Sequence, residues 1–269
     1  MEDIERAVLE YIANSEDNII SAEIALNPDV VGMRIYDAPI FAYGSADDPL
    51  FLKFREPEIV GEGHFLPKDW LPGAKTVISM FLPFSEAVRA ANRVDYSSPA
   101  DQWLHARIQG QELLNALLIY LGGYLREQGY ECSIPSEDDR FSSGKHPTIQ
   151  GRYISNWSER HVAHACGHGT FGLSAGLITA HGMAGRFGSV VTDLYIRATE
   201  KLYSDPYAYC IKCGACVKNC PADAISLEAG KNHALCSEFI DKTPTPPPYY
   251  GCGKCQVGVP CESSPAAAV

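Results

Sequence analysis

The chain has 269 residues, of which 46% are apolar and 20% are charged, a composition typical of a folded globular protein. Its formal net charge of −11 argues against nucleic acid or an anionic membrane as the main partner, because both attract basic surfaces. No apolar run approaches the roughly 20 residues of a membrane helix. The acidic N-terminus also lacks the basic and apolar regions of a secretory signal. We therefore expect a cytoplasmic protein without membrane association.

Helices and strands alternate in the predicted elements that precede the cysteine-rich end. Apolar residues at helical spacing predict a helix over residues 3–14, and β-rich segments predict strands in residues 30–43 and 75–84. A long helix is predicted to start at Ser98-Pro99 and to end near Gly129.

A polar segment rich in turn formers, residues 135–152, follows the long helix and predicts a loop. Loops of this length in compact domains are more often functional than not. A shorter helix is predicted over residues 157–166, with Asn156 as N-cap and Glu159 as its capping-box partner. The segment GMAGRFGSVVTDLYI then predicts a glycine-rich turn that enters a strand.

Eight of the ten cysteines lie between Cys210 and Cys261. Such clustering in a chain without an export signal indicates metal ligands rather than disulfides. The first four cysteines and Pro221 have the Cys-x2-Cys-x2-Cys-x3-Cys-Pro spacing of bacterial ferredoxins, in which the fourth cysteine ligates the other cluster of a pair. The predicted ligands are Cys210, Cys213, Cys216 and Cys261 for cluster one, and Cys220, Cys236, Cys252 and Cys255 for cluster two.

Two alternatives to this assignment are weaker. Structural zinc sites usually use two separated Cys-x2-Cys pairs, and a disulfide framework suits short exported chains. Within the assignment, five residues separate Cys255 from Cys261 where a regular ferredoxin half has three. The insertion can form a bulge that keeps Cys261 as a ligand, or it can displace that ligand.

Glycine-rich segments provide the candidate cofactor contacts. Gly167, Gly169 and Gly172 form GHGTFG, which either lets the backbone approach a flat cofactor or makes a tight helix–strand turn. A dinucleotide fold is disfavoured, because the motif follows a helix rather than a strand. Arg186, Gly188 and Ser189 suit contacts to polar groups of a cofactor or form an ordinary turn.

Three histidines and two further cysteines have plainer interpretations. His161, His164 and His168 share a helical face, and we expect partly buried, hydrogen-bonded side chains rather than metal ligands. Cys132 and Cys166 lie outside the ligand assignment and are expected to be small buried hydrophobic residues.

The cysteine order, with YGCGKCQ near its end, resembles that of epoxyqueuosine reductases and, more distantly, of reductive dehalogenases. The upstream segments LPGAKTVISMFLPF, SERHVAHACGHGTFGLSAGLIT and RFGSVVTDL resemble parts of the same family. The resemblance implies an α/β (α+β) fold: a nitroreductase/flavin-reductase-like, cobalamin-binding domain over residues 1–200, then a ferredoxin-like module with two 4Fe-4S clusters over residues 201–269. The cobalamin would lie between them, and electrons would come from a donor such as a ferredoxin or flavodoxin.

The resemblance also suggests a proton donor. Epoxyqueuosine reductases carry an acidic residue shortly before the Glu-Arg helix, and that place falls near Tyr153 in this chain. Tyrosine is the acid in reductive dehalogenases, so Tyr153 is the leading candidate for catalysis, with Asp138 and Asp139 as alternatives.

Two functions remain open at this point. The first is an anaerobic iron–sulfur oxidoreductase that passes electrons through two clusters to a bound corrinoid, or directly to a substrate, for reduction of a small molecule. The second is an electron-transfer or corrinoid-handling protein that reduces a partner protein. A cavity lined by Tyr153, Gly169, Ser189 and an arginine would favour the first, and side chains that fill that space would favour the second.

Overall fold

The computed structural model describes residues 2–146 and 153–266. Its helices are α1 (Glu2–Asn14), α2 (Pro49–Lys53), α3 (Pro67–Trp70), α4 (Glu86–Asn92), α5 (Asp101–Glu127), α6 (Glu159–Cys166), α7 (Ala215–Lys218) and α8 (His233–Lys242). Its strands are β1 (Ile40–Ser45), β2 (Thr76–Pro83), β3 (Cys132–Ser133), β4 (Ser143–Lys145), β5 (Tyr153–Ser155), β6 (Gly169–Phe171), β7 (Leu177–Thr179), β8 (Gly185–Thr192), β9 (Ile225–Ser226) and β10 (Gly230–Lys231).

An antiparallel sheet with strand order β1–β2–β8–β3 forms the centre of the molecule. Strand β2 is central, and it pairs with β1 along one edge and with β8 along the other over its whole length. Helices cover both faces. Ile78 and Met80 belong to the core cluster that contains α1 and α5, whereas Val77 belongs to the cluster that contains α6.

The burial of every residue of β2 explains its largely apolar sequence, in which Thr76 and Ser79 are the polar residues. A strand that is covered on both faces has no solvent side on which polar residues would alternate. Each fully buried large apolar side chain contributes on the order of 1.5–3 kcal/mol relative to exposure. The mixed α/β fold, the first helix, β2 and the long helix α5 confirm the corresponding predictions.

Four local predictions differ from the structure. The segment 30–43 forms a strand only from Ile40, and α5 starts at Asp101 rather than at Ser98-Pro99. Ser158, not Asn156, precedes α6, because the Asn156 side chain accepts a hydrogen bond from the Ser142 amide and donates one to the Arg140 carbonyl. The predicted loop 135–152 contains β4, which pairs with β5, and its residues 147–152 lie outside the described ones.

The cysteine-rich end packs against the helices of the sheet domain. Asn92, at the end of α4, donates a hydrogen bond of 3.0 Å to the Cys252 carbonyl. A Cβ atom at Gly253 would lie 2.0 Å from the Trp103 ring of α5, so only glycine allows this close approach. None of the helices described here combines the length and the apolar character needed to cross a membrane.

Candidate metal centre and adjoining cleft

Cys210, Cys213, Cys216 and Cys261 lie together and line one cavity. Burial and, to a smaller extent, the nearby Cys216, Cys210 and Cys213 thiols raise the pKa of Cys261 to about 12. Three of the four also pack in one apolar cluster with Ile178. The cavity encloses about 360 Å³ of empty space, part of it open to solvent. The structure therefore brings together the four residues predicted for cluster one.

A turn accommodates the five residues between Cys255 and Cys261. The Glu262 amide donates a hydrogen bond to the Val259 carbonyl, and Val257 and Val259 are buried. The Glu262 carboxylate accepts hydrogen bonds from the Gly258 amide at 2.6 Å and from Arg93 Nε at 3.1 Å. The longer spacing thus forms an anchored bulge that leaves Cys261 beside the other three cysteines.

Cys220, Cys236, Cys252 and Cys255 form a second group. Burial raises the pKa of Cys252 to about 11, and the Cys255 and Cys236 thiols contribute to that increase. Burial also raises the pKa of Cys255; Lys231 opposes the change, while Cys236 and Cys220 add to it. These interactions show that the four cysteines predicted for cluster two lie close together.

The two groups lie next to each other, because the Cys255 thiol is near enough to raise the pKa of Cys216 after the larger effect of burial. Cys213 is exposed at the outer side of the first group, and all ten cysteines are free of disulfides. Within residues 2–146 and 153–266, no three His, Cys, Asp or Glu side chains converge on a position for a single metal ion.

Arg160 of α6 lies near the second cysteine group, and we call the space between them the cleft. The Arg160 side chain is exposed in part, burial of its remaining surface lowers its pKa, and the Cys255 thiol opposes that change. One Arg160 nitrogen donates a hydrogen bond of 2.6 Å to the Ala175 carbonyl.

Two more arginines lie close to Arg160. Burial lowers the pKa of Arg186, and the Arg107 and Arg160 guanidinium groups lower it further. Arg186 of β8 donates a hydrogen bond of 2.7 Å to the Arg107 carbonyl of α5. The Arg107 guanidinium lies 4.4 Å from the centre of the Tyr250 ring, in the segment that leads to Cys252. Arginines of α5, α6 and β8 thus border the cleft on the side of the cysteine module.

Most of the predicted cofactor contacts pack inside the sheet domain instead. Gly167 ends α6 with a φ of 102°, and a Cβ atom at Gly169 would lie 1.8 Å from the Ile178 carbonyl oxygen. Gly172 packs against the Ile178 side chain, and Gly188 packs against Leu114. Glycine at these positions therefore serves close internal packing. Among the predicted contacts, Arg186 is the one that the described contacts place beside Arg107 and Arg160.

Ser189 is fully buried and has its hydroxyl occupied. It accepts a hydrogen bond of 2.9 Å from Trp157 Nε1 and donates one of 3.1 Å to Glu159 Oε1. Burial raises the pKa of Glu159 to about 7, and the bonds from Ser189 oppose this increase. Glu159, predicted as a capping partner, therefore lies under α6 as a carboxyl group that titrates near neutral pH.

The three candidate acids lie in different surroundings. The Tyr153 hydroxyl is 2.9 Å from Ser237 Oγ, one residue after Cys236, and about half of the Tyr153 side chain is exposed. The hydrogen bond from Arg140 lowers the pKa of Asp138 to about 2, so this group is ionised at neutral pH. Asp139 is exposed. Of the three candidates, Tyr153 is the one shown to contact α8, the helix that carries the predicted ligand Cys236.

All three histidines are hydrogen-bonded as predicted; His161 is partly buried, and His164 and His168 are buried. His161 bonds to Ser158, His164 to the Gly169 carbonyl, and His168 to the Ser79 carbonyl. Burial is the main cause that lowers the pKa of His161 to about 3 and that of His168 to about 4. Cys166 is fully buried as predicted, whereas Cys132 is half-buried.

Sequence reasoning missed Arg107 and Arg160. Neither arginine has an acidic residue three or four positions away on its helix, so neither can form the usual ion pair along a helix. The lack of an acidic residue at these positions is a sequence feature that could have identified both arginines as available to another partner.

A family model described as "4Fe-4S binding domain" matches residues 207–226, which contain the first four clustered cysteines. No curated protein matches the chain. An epoxyqueuosine reductase from Bacillus subtilis has a similar solved structure, with a TM-score of 0.51 and 17% identity over 97% of this chain and 66% of its own. An epoxyqueuosine reductase solved with a modified tRNA-Tyr stem loop matches with a TM-score of 0.51 and 18% identity over 97% of this chain and 66% of its own.

A catabolic reductive dehalogenase in complex with 3-bromo-4-hydroxybenzoic acid is also similar, with a TM-score of 0.53 and 12% identity over 98% of this chain and 37% of its own. The chain thus spans just under two thirds of the two reductase structures and about a third of the dehalogenase. The predicted resemblance is confirmed as a shared fold: this is an iron–sulfur protein with a 4Fe-4S binding domain and the fold of epoxyqueuosine reductases and reductive dehalogenases.

Proposed function

We propose that the protein is a reductase that carries two 4Fe-4S clusters, one in each cysteine group. Electrons would enter from a reduced ferredoxin or flavodoxin at the first group, pass to the second group, and reduce a small molecule in the cleft. The donor becomes oxidised as the bound molecule is reduced, one electron at a time.

The observation that carries this proposal is the position of Cys255. Its thiol is near enough to Cys216 of the first group and to Arg160 of the cleft to affect the pKa of both. Cys213, at the other end of the series, is exposed. A relay between these cysteines would therefore have an entry at the surface and an exit toward Arg160.

Tyr153 is the candidate proton donor for that reduction. Its hydroxyl contacts Ser237, beside the predicted ligand Cys236. Ser237 can donate a hydrogen bond to a tyrosinate and would then stabilise the charge that remains after the proton leaves. The other half of the side chain is open to solvent, from which the proton can be replaced.

A corrinoid is a less well supported part of the proposal. The predicted contacts Gly169, Gly172, Gly188 and Ser189 are buried and touch other parts of the domain. These residues do not fit a corrinoid site, and we assign no step to such a cofactor. Arg186 alone among them remains suitable for polar groups of any molecule in the cleft.

The same packing favours a second candidate function, an electron-transfer or corrinoid-handling protein that reduces a partner protein. In that case the clusters would discharge to the partner, and the cleft would bind part of it. The two functions differ in what reoxidises the clusters.

The decisive experiment uses anaerobically purified full-length protein. Iron analysis should give about eight irons per chain if both groups hold a cluster. The clusters are then reduced with a reduced ferredoxin or flavodoxin, and their visible absorption is followed after addition of small-molecule oxidants. Reoxidation of the clusters by a small molecule supports the reductase function if it is slower in the Arg160→Gln variant than in the unmodified protein. Reoxidation only by acceptor proteins supports the second function, and added cobalamin that changes neither the spectrum nor the melting temperature excludes a corrinoid.

A further inference from the structure

Arg107, Arg160 and Arg186 form a cationic group without a carboxylate. Their contacts are to main-chain carbonyls and to an aromatic ring: Arg160 to Ala175, Arg186 to Arg107, and Arg107 to Tyr250. Among the ion pairs of residues 2–146 and 153–266, none includes any of the three. The arginines of this group repel one another, and a structure keeps such a group at a cost unless an anion joins it.

Two buried donors in this group are unsatisfied. The Nε atoms of Arg107 and Arg186 are shielded from solvent and have no hydrogen-bond partner among the residues that the structure describes. An unsatisfied buried donor on a charged group is more costly than one on a neutral group, so native structures retain few of them. Arg89 and Arg93 provide the contrast, because both reach the Glu262 carboxylate.

The cleft also lies beside the second cysteine group, where a bound ligand could receive electrons. Arg160 borders the second cysteine group through Cys255, and Tyr250 lies two residues before Cys252. The guanidinium group presents planar pairs of N–H donors that match the two oxygens of a carboxylate or the oxygens of a phosphate. The chain as a whole carries a charge of −11, but salt screens charges beyond about 8 Å, so the three nearby arginines dominate the field in the cleft.

We propose that the cleft binds a small organic anion through its carboxylate or phosphate group, with Arg107, Arg160 and Arg186 as the binding residues. The proposal deepens the reductase function, on which it rests, by naming the chemical class of the substrate. The anionic group would orient the molecule, and its reducible part would lie toward the second cysteine group.

The test is binding of two simple probes, inorganic phosphate and succinate, to the anaerobically purified full chain. Each probe is titrated at constant ionic strength while the melting temperature is recorded, with chloride as the reference anion. A ligand that binds only the folded state raises the melting temperature in proportion to its affinity. At least one probe should raise it above the chloride reference, and the stronger probe identifies which oxyanion the cleft prefers.

Variants locate the site. Arg160→Gln removes an exposed guanidinium and should weaken the apparent affinity about tenfold, because it removes charge-assisted hydrogen bonds. Arg160→Lys keeps the charge without the fork and should recover only part of the affinity. Arg6→Gln is the matched control, since Arg6 is an exposed arginine paired with Asp3 on α1. The proposal is overturned if neither probe shifts the melting temperature, or if Arg160→Gln and Arg6→Gln respond alike.

Iron content and reduction by dithionite are measured on the same samples. Intact, reducible clusters without a probe effect would overturn the anion site and leave the reductase function standing. A rise in melting temperature that depends on Arg160, in protein whose clusters transfer no electrons, would support the anion site and overturn the reductase function.

Discussion

Lys254 Nζ donates hydrogen bonds to both the carbonyl oxygen and the side-chain oxygen of Asn92, at 2.8 and 2.7 Å. Lys254 is 1% exposed and lies between Cys252 and Cys255, while Asn92 ends α4. The Asn92 amide in turn donates to the Cys252 carbonyl. One asparagine therefore holds the segment of two predicted cluster ligands against the sheet domain.

The first prediction follows from this contact. Lys254→Met keeps most of the apolar volume but removes the donor of the Asn92 carbonyl oxygen and one of the two donors of the Asn92 side-chain oxygen, which also accepts from the Ala100 amide. This loss should lower the free energy of unfolding by roughly 2–4 kcal/mol. Because the segment carries Cys252 and Cys255, iron should be lost from the second group first. Chemical denaturation and iron analysis measure the two effects.

Lys242→Met is the matched control, since Lys242 is an exposed lysine that pairs with Glu238 one helical turn away. It should change the free energy of unfolding by less than about 0.5 kcal/mol. Equal effects of the two substitutions would contradict a specific role for the Lys254–Asn92 contact.

Cys261 provides the second prediction. The Cys261→Ala variant should lose about half of the iron, because one of two clusters loses a ligand. Cys132→Ala, a cysteine outside both groups, should keep all of it. The two variants are compared by iron analysis and by the visible absorption spectrum of the anaerobically purified protein. Full iron retention in Cys261→Ala would mean that Cys261 is not a ligand despite its place beside Cys210, Cys213 and Cys216.

The sequence predicted those parts of the molecule whose pattern is local. Cysteine spacing identified Cys210, Cys213 and Cys216 as one set of ligands, and helical periodicity identified α5, because both depend on near neighbours in the chain. Cys261 joins that set by the ligand count of the ferredoxin pattern, as the remaining cysteine.

The sequence predicted Arg186 but not its grouping with Arg107 and Arg160, since the three come from elements that only the tertiary fold brings together. The glycines near residue 169 were ambiguous because close packing and cofactor contact both require a missing side chain.

Tyr153 provides the third prediction, which separates proton donation from structural support. Tyr153→Phe keeps the ring but removes the hydroxyl, so it should slow reduction of a bound small molecule by about 10²–10⁴-fold if the tyrosine is the acid. Ser237→Ala removes only the hydroxyl's partner and should slow it less. Both variants should keep iron content and cluster reduction by dithionite, measured by absorption. A Tyr153→Phe rate equal to that of the unmodified protein would exclude this tyrosine as the acid.

The fourth prediction concerns pH and Glu159. Burial raises the pKa of this carboxyl from 4.5 to about 7, so the folded protein holds a proton there that the unfolded chain releases at lower pH. Between these two values the folded state binds more protons, and the free energy of unfolding therefore falls as pH rises from about 4.5 to 7. The contribution lost across this window is roughly 3 kcal/mol.

Glu159→Gln removes the titration and keeps the shape of the side chain. The free energy of unfolding of this variant should decline less than that of the unmodified protein between pH 5 and 8, so that the variant is the more stable of the two at the upper end. Glu112→Gln, at an exposed position of α5, should leave the pH profile unchanged. Denaturant unfolding of anaerobic protein across this range measures the profiles. Parallel profiles for Glu159→Gln and the unmodified protein would show that the carboxyl beside Ser189 does not hold its proton in the folded state.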